Sequence, residues 1–239
     1  MPIIEPSIKL KSLEELLKTY GNIIKIGIDL DGCAVDTNPM ILYQANEMYY
    51  FDNNKKYSKY NKTIMKEWGR SLRVEDIIKF KYEECTPLSK EEVDEIFKVF
   101  AEEKKFLSLK PMPDAIKVIN RLQEFFEGYF ITARPGNVEG QTIGWFENSG
   151  IKDYKNKVIL DGDKVMIAKD RGITRFIEDR AETALKLAEN NIKVLLFDYP
   201  WNNDPKQKLI QEINKHPRIE RINNTPKSYW LNIEEKLIK

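Results

Sequence analysis

A strand that ends in two closely spaced acids is the feature that most constrains this chain. The β-branched run at residues 23–28 predicts a buried strand, and Asp29, Asp31 and Gly32 follow it directly. Two carboxylates are therefore expected at the carboxyl end of an apolar strand, where open α/β sheets bind ligands. Two anions this close raise each other's pKa unless a cation lies between them, and Mg²⁺ prefers oxygen ligands. The alternative is an ordinary Asp-Gly turn, so other parts of the chain must decide.

Composition argues against several classes of protein. The 239 residues carry a net charge of +1 with both signs spread throughout, whereas a protein that binds a long nucleic acid shows a basic stripe. The single histidine, His216, leaves almost no room for a histidine dyad, so acid–base work falls to carboxylates or lysines. Cys33 and Cys85 form neither a disulfide framework nor a zinc site. Because neither a signal stretch nor a long apolar run is present, we predict a cytoplasmic protein that does not enter a membrane.

Strands and helices alternate over most of the chain. After the first strand, apolar runs predict further strands at residues 128–131, 158–160, 175–177, 194–197 and 219–222. This alternation predicts an α/β fold with a Rossmann-like parallel sheet flanked by helices. A short leading helix is also predicted, with Ser12 as its N-cap.

Residues 37–110 differ from the rest of the chain. They contain no strand-like run and are rich in aromatic residues, and helical patterns occur at residues 40–51, 74–82 and 91–105. We therefore predict a helical cap domain at residues 37–110, inserted after the first strand of an α/β core made of residues 1–36 and 111–239. Most of its aromatic side chains are expected to form its own small core, with two or three facing the acids.

Polar side chains follow four of the predicted strands. The set consists of Asp29 and Asp31, Thr132 and Arg134, Lys164, and Glu178 and Asp179. Each member has an ordinary explanation by itself, such as a surface charge or the cap of the following helix. Because the carboxyl ends of parallel strands meet at one edge of a sheet, their joint placement predicts one pocket. Such a pocket holds a divalent cation by its carboxylates and an anion by its hydroxyl and basic groups.

A phosphoryl group matches this set of side chains. Its transfer spreads negative charge over the phosphate oxygens, which basic groups and hydrogen-bond donors stabilise. One carboxylate can attack phosphorus and form an aspartyl-phosphate. A second carboxylate can protonate the leaving oxygen and then deprotonate the attacking water. Mg²⁺ shields the attacking carboxylate from the anionic substrate.

These residues resemble the four motifs of the haloacid dehalogenase superfamily, in order and at strand ends. The motifs are Asp29-Leu30-Asp31-Gly32, Thr132, Lys164 and Glu178-Asp179. The helical insertion is similar to the cap domain of that superfamily. Four runs look like the 5′(3′)-deoxyribonucleotidase family in particular, namely Ile131-Thr132-Ala133-Arg134, Asp163-Lys164, Ile177-Glu178-Asp179-Arg180 and Pro200-Trp201-Asn202.

The resemblance implies three catalytic residues. Asp29 would be the nucleophile and a ligand of Mg²⁺. Asp31 would be the acid and base, with its backbone carbonyl on the metal. Lys164 would neutralise both the nucleophile and the phosphate.

The resemblance also implies the binding residues. Thr132, Ala133 and Arg134 would bind phosphate together with the lysine. Asp179 would complete the metal site, with Glu178 beside it or acting through a water.

Two details depart from the mammalian members of that family. The fourth motif is Glu178-Asp179 rather than a pair of aspartates, which makes Glu178 an indirect ligand. The spacing from Lys164 to Glu178 is longer, which leaves Lys169 as an alternative in the lysine role, although Asp163 beside Lys164 favours the latter.

We therefore predict an enzyme, a Mg²⁺-dependent phosphomonoesterase that dephosphorylates nucleoside monophosphates and above all deoxynucleoside monophosphates. Its partner is a small phosphorylated substrate rather than a long nucleic acid or a membrane, and a homodimer is compatible with the sequence. One alternative is another small phosphate ester or a phosphorylated nucleic-acid end. Another is a phosphate- or nucleotide-binding protein or a receiver-like signalling domain, although receiver domains are much shorter and lack the helical insertion.

Overall fold

Eight strands lie in the part of the chain that the structure describes. The computed structural model describes residues 24–51 and 53–238. Its strands are β1 (Lys25–Ile28), β2 (Val35–Asp36), β3 (Lys110–Pro111), β4 (Glu127–Thr132), β5 (Val158–Leu160), β6 (Ile173–Glu178), β7 (Lys193–Phe197) and β8 (Ile219–Ile222). Six of them form one sheet in the order β5-β4-β1-β6-β7-β8, in which all neighbours run parallel. The short strands β2 and β3 pair antiparallel outside this sheet.

Helices connect the strands. They are α1 (Asn38–Tyr49), α2 (Thr63–Trp68), α3 (Lys90–Glu102), α4 (Ala115–Leu122), α5 (Glu139–Ser149), α6 (Lys164–Arg171), α7 (Ala181–Glu189), α8 (Lys208–Lys215) and α9 (Tyr229–Leu237). None of these helices combines the length and the apolar character that crossing a membrane requires.

The predicted alternation of strands and helices is confirmed. The strands at residues 158–160 and 219–222 have the predicted ends, and no end of the other predicted strands differs by more than two residues. The predicted leading helix lies outside the described residues. These elements were predictable because the pattern of buried side chains is local and follows the period of each element.

Apolar side chains cover both faces of the sheet. Along β7, Val194 and Leu196 join one buried cluster, whereas Leu195 and Phe197 join the other. Successive side chains of a strand point to opposite faces, so each strand is buried on both sides. The sheet therefore lies between two layers of helices, and its carboxyl edge is the place left for ligands.

The insertion (residues 37–109) leaves and re-enters the core at one place. Its two ends are joined by β2 and β3, in which Val35 pairs with Pro111 and Asp36 with Lys110. Helix α1 packs against α3 within the insertion. The buried amide of Asn46 donates to the carbonyl of Leu72 at 3.0 Å and accepts from its N–H at 2.7 Å, which fixes the loop after α2.

The helix predicted at residues 74–82 is wrong. The chain there forms two single 3₁₀ turns, Val74–Asp76 and Tyr82–Glu84, separated by an irregular stretch that bends at residues 79–81. The carboxylate of Asp76 accepts from the Arg73 N–H and from the guanidinium of Arg70, which closes one local turn. Such side-chain bonds and adjacent β-branched residues compete with a continuous helix.

Strand β1 lies between β4 and β6 in the middle of the sheet, and Gly27 allows it to pack closely against a ring of β6. A Cβ atom at Gly27 would lie 2.3 Å from a ring carbon of Phe176. The Nζ atom of Lys164 lies over the same ring, 5.8 Å from its centroid. The missing side chain of Gly27 therefore makes room for a ring that contacts the lysine of the site.

We expect Gly27→Ala to lower the free energy of unfolding by about 1–3 kcal/mol, the usual cost of overpacking a core. Gly140→Ala is the matched control, because an added Cβ there meets no atom within 4 Å. That control should leave stability unchanged or raise it by up to about 1 kcal/mol. Urea unfolding of both variants measures the difference, and equal stabilities would contradict the packing argument.

Candidate active site

Four strand ends bring most of the predicted residues together. Asp29 follows β1, Thr132 ends β4, Lys164 begins α6 after β5, and Glu178 ends β6 with Asp179 next to it. The Asp29 N–H donates to the Ile177 carbonyl at 2.9 Å, so the end of β1 stays in register with β6. All of these polar side chains are buried. The predicted pocket at the carboxyl edge of the sheet therefore exists.

Lys164 joins two of the carboxylates. Its Nζ lies 2.7 Å from Asp29 Oδ1 and 2.8 Å from Glu178 Oε2. The N-cap of its helix is Asp163, whose side chain accepts from the Met166 N–H. Lys169, the alternative in the lysine role, is exposed on the same helix. The structure thus places Lys164, and not Lys169, between the acids.

Burial opposes the charge on three of these acids. It raises the pKa of Asp29, although the charge of Lys164 and its hydrogen bond pull that pKa down. Burial also raises the pKa of Glu178 to about 7 against the same lysine. The pKa of Asp179 is raised well above its ordinary value by burial and then by the charges of Asp29 and Glu178. More positive charge is therefore needed to keep all three ionised.

Asp31 has a different environment. Its carboxylate accepts from Arg134 Nε and Nη2, both at 2.7 Å, and from the Thr37 hydroxyl at 2.6 Å. Burial raises the pKa of Asp31, but the charge and hydrogen bonds of Arg134 and the bond from Thr37 outweigh it, so the pKa lies below its usual value. The side chain is held in a fixed orientation towards the pocket.

Each of the three nitrogens of the Arg134 guanidinium makes a hydrogen bond. Besides its two bonds to Asp31, Nη1 lies 3.3 Å from the Thr142 hydroxyl, and the Phe106 ring lies 4.5 Å from its Cζ. Arg134 was predicted to bind phosphate, and in the structure its guanidinium contacts the second acid of the first motif. Its backbone N–H donates to Thr132 Oγ1 at 3.3 Å, so it also orients that hydroxyl.

Among the four carboxylates of this site, Asp179 differs in having no partner among the described residues. In the described part of the chain, its side chain has neither a hydrogen bond nor an ion pair, although it is only 6% exposed. Its Oδ2 lies directly over Gly32, where a Cβ would come within 2.3 Å of it. The φ angle of Gly32 is +78°, which suits glycine. The backbone of the first motif thus approaches this oxygen closely.

These donors fit a hard divalent cation. Three of the four carboxylates contact the two basic side chains Lys164 and Arg134, and Asp179 contacts neither within the described residues, so the site carries an excess of two negative charges when all four are ionised. Oxygens of Asp29 and Asp179 lie within 4.8 Å of each other, close enough to share one ion. Carboxylate oxygens of this kind are typical Mg²⁺ ligands.

Cys33 lies beside this cluster. Its sulfur is within 4.8 Å of oxygens of Asp29 and Asp179. Burial raises the pKa of the Cys33 thiol, and so do the neighbouring acids. A buried thiol of raised pKa is a small packing residue rather than a nucleophile.

A cavity of about 500 Å³ opens above these residues. Its floor is the strand edge, with Asp29, Thr132 and Lys164, and its other walls are mainly apolar. The aromatic side chains that line it are Phe80, Tyr82, Phe97 and Phe106 of the insertion and Trp201 of the loop after β7. Tyr49, Tyr57 and Phe100 are buried inside the insertion. Four aromatic side chains of the insertion thus line the cavity, where two or three were expected, and Tyr43, Phe51 and Trp68 are exposed rather than part of a core.

Two contacts of the site were not predicted from the sequence. Thr37, which precedes α1, binds Asp31, and a hydroxyl at a helix start six residues after the acid was a signal that could have found it. Phe106 lies under Arg134, but it is one of many aromatic residues in the insertion and carried no signal.

Comparison with known proteins gives a consistent result. The family model described as 5′ nucleotidase, deoxy (pyrimidine), cytosolic type C protein matches residues 22–211. A protein of Halalkalibacterium halodurans that is provisionally named a nucleotidase is 22% identical over 191 residues, which cover 80% of this chain and 87% of that protein. A nucleotidase of Clostridium acetobutylicum is 24% identical over 192 residues, 80% of this chain and 89% of the other.

A solved structure shares the fold. The haloacid dehalogenase-like hydrolase of Streptococcus pneumoniae superposes with a TM-score of 0.55 and 16% identity, over 89% of this chain and 97% of that one. The predicted sheet of haloacid dehalogenase type is therefore confirmed.

We expect Gly32→Ala to weaken the binding of Mg²⁺ by about tenfold or more, because the added Cβ displaces an oxygen of Asp179. Gly69→Ala separates this clash from backbone strain. The φ angle of Gly69 is +63°, but an added Cβ meets no atom within 4 Å. The control should lose only about 1–2 kcal/mol of stability and bind Mg²⁺ as the wild type does. Calorimetric titration measures the affinities, and an unchanged affinity in Gly32→Ala would contradict the expectation.

Proposed function

We propose that this chain, which belongs to the 5′ nucleotidase, deoxy (pyrimidine), cytosolic type C family, hydrolyses the phosphate ester of a deoxynucleoside monophosphate with the help of Mg²⁺. The family is a group of phosphomonoesterases of the haloacid dehalogenase superfamily, so the finer points are the metal, the intermediate and the substrate. One observation carries the proposal: a lysine-paired aspartate and a buried hydroxyl form the floor of an aromatic-walled cavity.

Asp29 is the proposed nucleophile. Its Oδ1 accepts from Lys164 and from the Leu30 N–H at 2.7 Å. Its Oδ2 has no hydrogen-bond partner among the described residues, which leaves it free to attack. In the first step this oxygen forms a bond to phosphorus, and the bond from phosphorus to the ester oxygen breaks. The products are an aspartyl-phosphate on Asp29 and a leaving nucleoside oxygen that needs a proton.

Asp31 is the proposed acid and base. As an acid it gives its proton to the leaving oxygen, and as a carboxylate it then removes a proton from the water that attacks phosphorus. The second step releases inorganic phosphate and restores Asp29. Arg134 and Thr37 stabilise the ionised form, which suits the base. The negative charge of the incoming phosphate opposes that effect and favours the protonated form that the first step needs.

Thr132, the Ala133 backbone and Lys164 are the proposed phosphate-binding groups. Thr132 is 1% exposed and its hydroxyl accepts from the Arg134 N–H, so its proton is available to a phosphate oxygen. Lys164 offers the positive charge that transfer of a phosphoryl group requires. Arg134 is assigned to holding Asp31, because its Nε and Nη2 already donate to that carboxylate and its Nη1 donates to the Thr142 hydroxyl.

Asp29, Asp179 and the backbone carbonyl of Asp31 are the proposed holders of Mg²⁺, with Glu178 acting through Lys164. When bound, Mg²⁺ supplies positive charge that offsets repulsion between the phosphate and the carboxylates. The chain alone leaves an excess of two negative charges here, which supports this assignment.

The proposed cap domain is residues 37–110, which contain the insertion, and the proposed core is residues 1–36 and 111–239. Its aromatic side chains line the cavity above the acids, where a leaving nucleoside has to lie. Aromatic rings stack well on nucleobases, which supports a nucleotide over a small sugar phosphate. A cytoplasmic location is part of the same proposal and agrees with the description of the family.

We expect phosphate release from deoxynucleoside monophosphates that requires Mg²⁺ and falls at least about a thousandfold in Asp29→Asn, because the nucleophile is lost. Asp36→Asn is the control, since Asp36 lies in β2 and outside the cavity. The panel includes 5′- and 3′-monophosphates with ribose or deoxyribose, simple phosphate esters and a 3′-phosphorylated oligonucleotide. Better turnover of a simple ester or of the oligonucleotide would replace the proposed substrate, and activity that survives in Asp29→Asn would contradict the mechanism.

We expect Phe97→Ala to raise KM for the nucleotide by about tenfold, which corresponds to the loss of one stacked ring. Phe97 is 36% exposed and lines the cavity. Tyr43→Ala is the control, because this exposed ring belongs to the insertion but does not line the cavity. The KM for para-nitrophenyl phosphate should change much less than that for the nucleotide. Equal changes for both substrates would show that Phe97 does not contact a base.

A further inference from the structure

The loop that follows β7 makes hydrogen bonds to both motifs that carry the proposed metal ligands. The hydroxyl of Tyr199 donates to the Gly32 carbonyl at 2.9 Å. The indole N–H of Trp201 donates to the Asp179 carbonyl at 3.0 Å. One short loop therefore binds the backbone of the first motif and the backbone of the fourth.

Asn202 strengthens the second of these attachments. Its buried Nδ2 donates to the Asp179 carbonyl at 2.7 Å and to the Phe197 carbonyl at 2.9 Å. Its Oδ1 accepts from the Ala181 N–H at 3.2 Å, at the start of α7. The side chain is fully buried, so these bonds are not exchanged for bonds to bulk water. The turn that carries Asp179 is thus fixed at both ends.

The two donors are also joined to each other. The rings of Tyr199 and Trp201 are stacked, with centroids 4.3 Å apart and an angle of 16° between their planes. Tyr199 packs in turn against Tyr229, at 5.2 Å. A shift of one donor therefore displaces the other, and the spacing between Gly32 and Asp179 depends on the stack.

That spacing matters because of the close approach described above. Asp179 Oδ2 already lies where a Cβ of Gly32 would be, so the two motifs have little freedom to slide past each other. A divalent cation needs its ligands within a few tenths of an ångström of their proper distances. Groups that orient ligands without touching the metal commonly change metal affinity about 10- to 100-fold when they are removed.

We propose that Tyr199 and Trp201 are positioning residues for the cation, which hold the Asp29–Gly32 turn and the Asp179 turn at the separation that binding requires. The inference rests on the proposed function, since it concerns the Mg²⁺ of that site. It assigns a role to the run at residues 200–202, which the catalytic steps do not use. Neither residue touches the reacting atoms in this assignment.

The test removes single donors and leaves the rings in place. Tyr199→Phe deletes the hydroxyl, and Trp201→Phe deletes the indole N–H while an aromatic ring remains in the stack. Tyr129→Phe and Trp145→Phe are the matched controls. Their donors bind Glu127 Oε1 at 2.6 Å and the Leu109 carbonyl at 2.8 Å, and neither residue lines the cavity.

The measurement is Mn²⁺ binding to the full chain without substrate, followed by the loss of the electron paramagnetic resonance signal of free Mn²⁺. We expect Tyr199→Phe and Trp201→Phe each to weaken binding about tenfold, while the two controls bind as the wild type does. Thermal unfolding without metal reports stability separately. Wild-type affinity in both test variants would overturn the inference, and so would an equal loss in the controls.

The failure of the proposed function looks different. If the wild type does not bind Mn²⁺, or if Asp179→Asn binds it equally well, the cation site itself is wrong and the inference falls with it. If the wild type binds, Asp179→Asn does not, and the donor variants are unaffected, the proposed function stands and only the positioning role is lost.

Discussion

The crowding of carboxylates at one edge of the sheet governs this structure. Asp29, Glu178 and Asp179 are buried together, and one lysine serves the first two. Carboxylates that lie close together and are poorly solvated raise each other's pKa. Such a cluster stays ionised only where basic side chains or a bound cation supply positive charge. Arg134 supplies positive charge to Asp31, and Lys164 supplies it to Asp29. Asp179 has no basic partner among the described residues. The proposed cation would balance the negative charge that remains.

The site could be located from the sequence because its parts are each short and local. Polar residues lie at or directly after the ends of β1, β4 and β6, and parallel strands carry those ends to one edge, so the topology gathers Asp29, Thr132 and Asp179. Lys164 was favoured over Lys169 because Asp163 precedes it, and in the structure Asp163 caps the helix that Lys164 begins while Lys164 pairs with Asp29. Periods of two and of about 3.6 residues are readable in any sequence, and these elements obey them.

What could not be predicted depends on contacts between distant parts of the chain. The guanidinium of Arg134 turns to an acid 103 residues away, and the hydroxyl of Tyr199 reaches a carbonyl 167 residues away. Neither contact leaves a pattern in its own stretch of sequence. In the insertion, the single turn closed by Asp76 replaces a helix that the apolar spacing of residues 74–82 favours. In residues 74–82, hydrogen bonds between side chains and the backbone outweigh the helical spacing of the apolar residues.

The pairing of β2 with β3 has a consequence for how such proteins diversify. Since Asp36 faces Lys110 directly, the chain departs from the sheet and returns to it about one strand spacing apart, roughly 5 Å. A segment attached in this way can lengthen, shorten or be exchanged without moving the strand ends that hold the acids, because closing a longer loop costs little extra entropy. The pair of strands β2 and β3 is thus a site at which the insertion can be replaced. Substrate preference can then evolve while the catalytic residues at the sheet edge stay the same.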